Sequence, residues 1–230
     1  MSGLARIDHL VVLADTLEQG AAWCESTLGV APGPGGEHPL MGTHNRLLRL
    51  ASVDHPLAYF EVIARNPAAP GPQAGRRRWF DMDEPRVQST IRDHGPRLAH
   101  WVARVPDVKA AVAALARLGI DCGEVVEASR MTPRGLLKWQ STIRPDGQRQ
   151  FDGCLPMLIE WGEVHPAATL ADAGVTLRSL ALAHPQAVQL RRALDAIGLD
   201  GLHVEDGGPA SVCATLLTPR GQLRLESRGI

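Results

Sequence analysis

Two histidine–glutamate pairs occupy matching places in the chain. His9 sits inside Ile7-Asp8-His9-Leu10-Val11-Val12 and Glu61 inside Tyr59-Phe60-Glu61-Val62-Ile63. His100 sits inside Leu98-Ala99-His100-Trp101-Val102 and Glu160 inside Met157-Leu158-Ile159-Glu160-Trp161. All four lie in short apolar runs that read as strands. Alternation then groups Ile7, His9 and Val11 on one face, and likewise Tyr59, Glu61 and Ile63, Leu98, His100 and Val102, and Leu158 and Glu160. Burying even a neutral polar group without a partner costs roughly 2–7 kcal/mol, so such carboxylates need company. Two histidines and two glutamates can satisfy one another around a bound cation, converging inside a cupped sheet. With two imidazoles, two carboxylates and no thiolate, His9, Glu61, His100 and Glu160 suit zinc, nickel, manganese, iron(II) or cobalt at a catalytic site, with positions left for water or two substrate oxygens. Singly, each residue has a plainer reading as a hydrogen-bonded core histidine or a glutamate facing water. Repetition of the pair is what favours the joint one.

The elements that must carry these residues also repeat. Asp15 and Thr16 are good caps for a helix over residues 17–28, with Gly29 as its stop. The glycine- and proline-rich stretch 33–45 has no period and is expected to be an irregular loop, followed by a strand at 46–51 and the strand of Glu61. A linker, 66–96, holds a short helical piece between Pro85 and Asp93 and the run Arg76-Arg77-Arg78, read as a solvated turn with anion binding as the alternative. The second unit has a strand at 98–104, Asp107 as a cap, and a helix whose buried stripe is Val108, Val112, Leu115 and Leu118 with Gly119 as its stop. Strands follow at 124–126, 136–143 and 155–161. A last segment gives a strand at 176–182, a helix at 185–197 and a hairpin at 210–227. It reads as a partial third copy, with Ser179 where the others have histidine. The expected fold class is therefore α+β, with paired β-α-β-β-β modules at 1–65 and 97–165, the linker at 66–96, and the partial module at 174–230 packed on the same domain.

Of the 230 residues, 44% are hydrophobic and 21% charged, enough for a substantial core, and the formal net charge of -1 gives no field to attract nucleic acid or an anionic membrane. Cys24, Cys122, Cys154 and Cys213 form no Cys-x-x-Cys pair and read as packed, reduced thiols. No stretch approaches the ~18 consecutive apolar residues of a membrane span, and no leader pattern precedes the first strand, so a cytoplasmic location is the expectation. Association into a homodimer is left open. Trp101, Trp139 and Trp161 read first as core. The other histidines form no His-Glu-x-x-His spacing and are assigned to loops and surface.

The two modules, with histidine in the first strand and glutamate in the last, resemble the vicinal oxygen chelate superfamily of glyoxalases, epimerases, extradiol dioxygenases and antibiotic-resistance binding proteins. More narrowly, Ile7-Asp8-His9-Leu10-Val11, the loop containing Gly35-Gly36-Glu37-His38-Pro39 and Gly42-Thr43-His44-Asn45, and Leu155 to Trp161 resemble its glyoxalase-like domain proteins. The resemblance implies metal-ligand roles for His9, Glu61, His100 and Glu160, and a pocket bordered by the Gly35–Asn45 loop.

The function expected from this is metal-dependent isomerase or lyase chemistry on a small substrate with adjacent oxygens. Its enediolate would be stabilised by the metal, with Glu160 or Glu61 as general base. Thr43, Asn45, Arg49, Arg134 and Trp139 are the expected substrate contacts. The alternatives are a metal-free small-molecule binding or sequestering protein, with its tryptophans lining the cup, and a ring-cleaving dioxygenase.

Overall fold

The computed structural model describes residues 4–72, 75–132, 135–228 and 230. Capping chemistry sets the first turn of the chain. Strand β1 (Arg6–Leu13) ends where the Thr16 hydroxyl accepts from Gln19 N, which starts α1 (Leu17–Leu28). Gly29, at φ 82°, ends the helix by donating its N–H to Glu25 O, a left-handed closure that glycine makes without strain. The stretch expected to be an irregular loop instead contains a strand, β2 (Gly33–His38), paired with β3 (Thr43–Arg49) through an irregular register. Backbone proximity rather than apolar alternation defines it. Any Cβ at Gly35 would overlap the Asn45 carbonyl, so glycine is what lets the two strands close. Strand β4 (Tyr59–Arg65) then returns beside β1 in parallel.

The same winding follows a helix α2 (Pro85–His94). Strand β5 (Arg97–Arg104) leads to α3 (Val108–Ala116), capped by Asp107, then to β6 (Glu124–Thr132), β7 (Gly135–Ile143) and β8 (Met157–Trp161). Helix α3 is shorter than its apolar pattern suggested. Its buried stripe is Val108, Ala111 and Leu115, and Leu118 lies beyond it, exposed. The strands form one curled, mixed eight-stranded sheet in the order β2-β3-β4-β1-β5-β8-β7-β6, so the two modules meet through antiparallel β1 and β5 as near-symmetric halves. Helices α1 and α3 pack on the convex face, together with Leu10, Val12, Phe60, Trp101 and Leu158.

A second, four-stranded sheet also packs against that convex core. It comprises β9 (Thr176–His184), α4 (Ala187–Ala196), β10 (His203–Asp206), β11 (Ser211–Thr218) and β12 (Gly221–Glu226), in the order β10-β9-β11-β12. Here the strand after the helix pairs directly and in parallel with the strand before it, a winding unlike that of the two modules. All four cysteines are free and buried. Among the described residues no helix is long and apolar enough to cross a membrane.

The segment between the modules does more than link them. Phe80, Met82, Val87 and Ile91 pack on the concave face against Val11, Ile63, Val102 and Ile159. Phe80 and Asp81 both take positive φ (60° and 57°), a conformation that non-glycine residues adopt only when their surroundings hold them. Arg149 does so: its side chain, 5% exposed, donates to Asp81 at 2.7 Å and to the Ala99 carbonyl at 2.7 Å. The basic run is not a solvated turn, since Arg76 pairs with Glu124, Arg77 with Glu84 and Arg78 with Asp83, the first and last largely buried. Arg149→Ala removes the side-chain donors to Asp81 Oδ2 and to the Ala99 carbonyl, leaving Asp81 only the backbone N–H of residue 149, and is expected to cost about 1–3 kcal/mol in urea unfolding.

Candidate functional site

The site begins with an irregularity in β1. Ile7 pairs with Ala103 but His9 with Val102, so Asp8 is the extra residue of a bulge that breaks strict alternation. Both Asp8 and His9 therefore enter the same buried network. His9 Nδ1 lies 2.7 Å from Asp8 Oδ1, while Asp8 Oδ2 accepts from Trp161 Nε1 at 3.1 Å and from His165 Nε2 at 2.9 Å. The tautomer of His165 is fixed, because Ala167 N donates to its Nδ1 and leaves the proton on Nε2.

His9 Nε2 faces Glu61 Oε2 at 3.5 Å across the β1–β4 pair, and Tyr59 stacks on the imidazole at 4.4 Å. Burial alone would drive the proton off His9. The two carboxylates beside it prevail, and its pKa is pushed up to about 9. Burial raises Asp8 and Glu61 too, but the imidazoles around each outweigh this and hold both carboxyls below the ordinary range. The resulting centre is an imidazolium clamped between two carboxylates. Burial and the same negative charges push the Tyr59 phenol up.

Glu61 is fixed from its other side. Gly36 N donates to Asn45 Oδ1 at 2.7 Å, which turns the Asn45 amide nitrogen toward Glu61 Oε1 at 2.5 Å. His38 stands beside them, 3.9 Å from Glu61, with Nδ1 against Thr43 Oγ1 at 3.1 Å. Burial lowers His38 to about 4, so it is neutral. Leu47, Leu137, Trp139, Ile159 and Trp161 complete the walls of a narrow opening with a cavity volume of about 50 Å³, and Arg130 reaches into it from β6.

The expected sites therefore divide. His9, Glu61, Asn45 and Trp139 line one cup, and Thr43 supports it through His38. Arg49 is not among the lining residues, and Arg134 lies outside the described residues. His100 and Glu160 do not converge with the first pair. Met157 N donates to His100 Nε2, so Nδ1 carries the proton and donates to Gly153 O. Both ring nitrogens are committed to backbone. Burial, with Arg149 adding to it, lowers His100 to about 3, and Phe80 tilts against its ring at 5.2 Å, closing it off from the cup. Glu160 points the other way. Its carboxylate accepts from Val108 N at 2.8 Å at the start of α3, because in β8 it is Met157, Ile159 and Trp161 that face the cup.

This donor set does not fit the divalent ion expected from the sequence. Two of its four members, His100 and Glu160, are engaged elsewhere, and Glu61 Oε1 already accepts from the Asn45 amide. Nor do three or more His, Cys, Asp or Glu side chains gather as ligands among the described residues. Sequence reasoning passed over three contributors. Asp8 was signalled only by its adjacency to His9, His38 was assigned to a loop, and Arg130 follows from the inward alternation of Ala128, Arg130 and Thr132 in β6. No local signal marked Trp79 and Phe80 as residues that fill the sheet.

Comparison with known proteins gives the family context. A family described as a glyoxalase-like domain matches residues 7–198. No curated protein matches the chain. A hypothetical protein from Staphylococcus aureus shares the fold over 97% of this chain and 85% of its own, with a TM-score of 0.60 at 14% identity. A Streptomyces coelicolor methylmalonyl-CoA epimerase, bound to 2-nitronate-propionyl-CoA, aligns over 69% of this chain and 97% of its own, with a TM-score of 0.42 at 15% identity.

Two outcomes follow from the charge arrangement. A group whose pKa is raised on folding stabilises the protein below its unfolded value and loses that effect as pH rises through the folded one. His9 should therefore make wild type less stable between pH 6.5 and about 9, on the order of 1–3 kcal/mol, and His9→Gln should flatten that slope in denaturant unfolding at a series of pH values. Elemental analysis of protein purified without tag or chelator should find no divalent ion at stoichiometric level, including after incubation with zinc, nickel, manganese or anaerobic iron(II).

Proposed function

The chain belongs to the glyoxalase-like domain family of the vicinal oxygen chelate superfamily, and from that premise we propose that it is a proton-transfer enzyme, an isomerase or lyase acting on a small carbonyl compound, in which the His9 imidazolium takes the place of a metal ion. The observation that carries this reading is the clamp itself, a cationic ring nitrogen and a carboxylate oxygen 3.5 Å apart, both facing an apolar cup. That separation is longer than a strong charged hydrogen bond, so the His9 N–H is not consumed by Glu61 and can turn to a substrate oxygen.

Glu61 Oε2 takes a proton from the carbon next to the substrate carbonyl, the C–H pair moves into the carbon–carbon bond, and the carbonyl oxygen gains the charge. His9 Nε2–H donates to that oxygen as the charge grows. A carboxylate held below its ordinary pKa is a weak base, so most of the barrier must be lowered from the oxygen side, by a donor kept charged by Asp8. Asn45 holds Oε1 and leaves Oε2 for the proton. Return of the proton to the other face or the neighbouring carbon isomerises the substrate; loss of a leaving group from that carbon gives a lyase.

The aromatic walls, Trp79, Trp139 and Trp161 with Leu47 and Ile159, favour a second reading, a metal-free protein that binds or sequesters an apolar small molecule. Proton exchange separates the two. Wild type in D2O, with a panel of 2-oxo and 2-hydroxycarbonyl compounds, should incorporate deuterium next to the carbonyl of its substrate, followed by NMR. Glu61→Gln and His9→Gln should each lower that rate roughly 10²–10⁴-fold while the fold persists. Saturable binding without any exchange across the panel would sink the enzyme reading in favour of the binding protein.

A further inference from the structure

The strands leave one cation at the cup with nothing to hold. Arg130 projects inward from β6 opposite Leu137, half-buried, and lines the same opening as His9 and Glu61. Arg78 and Arg149 elsewhere in the chain are tied to Asp83 and Asp81. Arg130 has no acceptor among the described residues. Its position is nevertheless built. The guanidinium approaches Gly36 through Nη1, in the space a Cβ would take, so a larger residue at that point of β2 would have to displace it. Gly36 N in turn holds Asn45, and Asn45 holds Glu61, so the guanidinium is joined to the clamp by one short chain of contacts. The charges already present do not use it. Asp8 is satisfied by three donors behind the ring, and Glu61 by the Asn45 amide and the neighbouring charge of His9.

We infer that Arg130 is a specificity-determining residue that binds a carboxylate on the substrate, so that the cup takes a small 2-oxo or 2-hydroxy acid, carboxylate on Arg130, carbonyl or hydroxyl oxygen on His9 and apolar tail against Leu47, Trp139 and Ile159. The inference names the substrate class of the proton-transfer site proposed above and rests on it for the placement of the second oxygen. A planar guanidinium offers two parallel N–H donors that match a carboxylate, and an apolar wall beside it strengthens the pair by excluding water.

Calorimetric titration with pyruvate, 2-oxobutyrate and 4-methyl-2-oxopentanoate, each beside its neutral amide, tests this. Wild type should bind at least one acid roughly 10- to 100-fold more tightly than its amide. Arg130→Gln should erase the preference, Arg130→Lys should restore part of it, and Gly36→Ala should weaken it by displacing the guanidinium while its charge remains. Acids bound no better than amides, no binding of any acid, or a preference that survives Arg130→Gln would each overturn the assignment. Deuterium exchange on the same samples keeps the two readings apart. An acid that binds through Arg130 but exchanges no proton removes the proton-transfer reading and leaves the carboxylate site standing; amides exchanged as fast as acids do the reverse.

Discussion

Everything at the cup depends on one buried contact chain, Asp8 to His9 to Glu61. Two carboxylates that deep in a sheet are unfavourable alone, and a charged imidazole alone is no better. Together they are stable because each remaining lone pair has a donor: Trp161 and His165 on Asp8, Asn45 on Glu61. Those donors come from β8, the turn after it, and β3, so the charges also tie both halves of the sheet together. The bulge at Asp8 is the geometric condition for it. With regular alternation Asp8 would face the convex core, where only apolar side chains and helices wait, and His9 would have no second carboxylate to keep its proton.

The two modules show how a duplicated fold can lose its functional symmetry while the backbone keeps it. His9 and His100 sit on β1 and β5 at nearly opposed positions of the central pair, with Val11 opposite His100 and Val102 opposite His9. What separates them is the inserted segment. Phe80 rests on His100 and Asp81 is held by Arg149, so the inserted segment places His100 on a separate pocket beside Phe80, Arg149 and Met157. His100, buried and without a carboxylate partner, then serves as a neutral bracket between Gly153 and Met157. The first half stays open because the same insertion only lines it, with Trp79 and Phe80 at its floor.

Much of this was legible in the sequence. Caps and stops such as Thr16, Gly29 and Asp107 located helices α1 and α3, and recurrence of the strand–helix–strand plan gave the paired modules and the sheet. The meeting of His9 with Glu61 was legible because polar residues in apolar strands must meet something, whereas Asn45 was read as part of a loop bordering the cup. Glu160 was not, since period-two alternation fixes which residues share a face but not which face is concave. Leu158 and Glu160 share the helix side of β8 and Ile159 the cup side. The strand β2 was hidden because Gly33 to His38 pairs through its backbone, with no side-chain pattern to reveal it. The packing of the segment between the modules was hidden for a similar reason, as Phe80 and Asp81 take positive φ angles and Asp81 is held by Arg149, some 70 residues further along the chain.

In the proposed reading, an imidazolium in place of a metal changes what the site can ask of a substrate. A divalent ion offers several open positions and can chelate two adjacent oxygens, with a charge that pH does not remove. His9 offers one N–H toward the cup, because Asp8 takes the other. On the proposed reading only one substrate oxygen is served there, so a second must find its own donor, and Arg130, without an acceptor among the described residues, lies on the same wall. The charge on His9 also has an upper limit in pH, near 9, set by the carboxylates that flank it. Electrostatic stabilisation at this site is thus held by the protein's own proton balance: above that limit the clamp loses the positive charge on which the proposed enolate stabilisation depends.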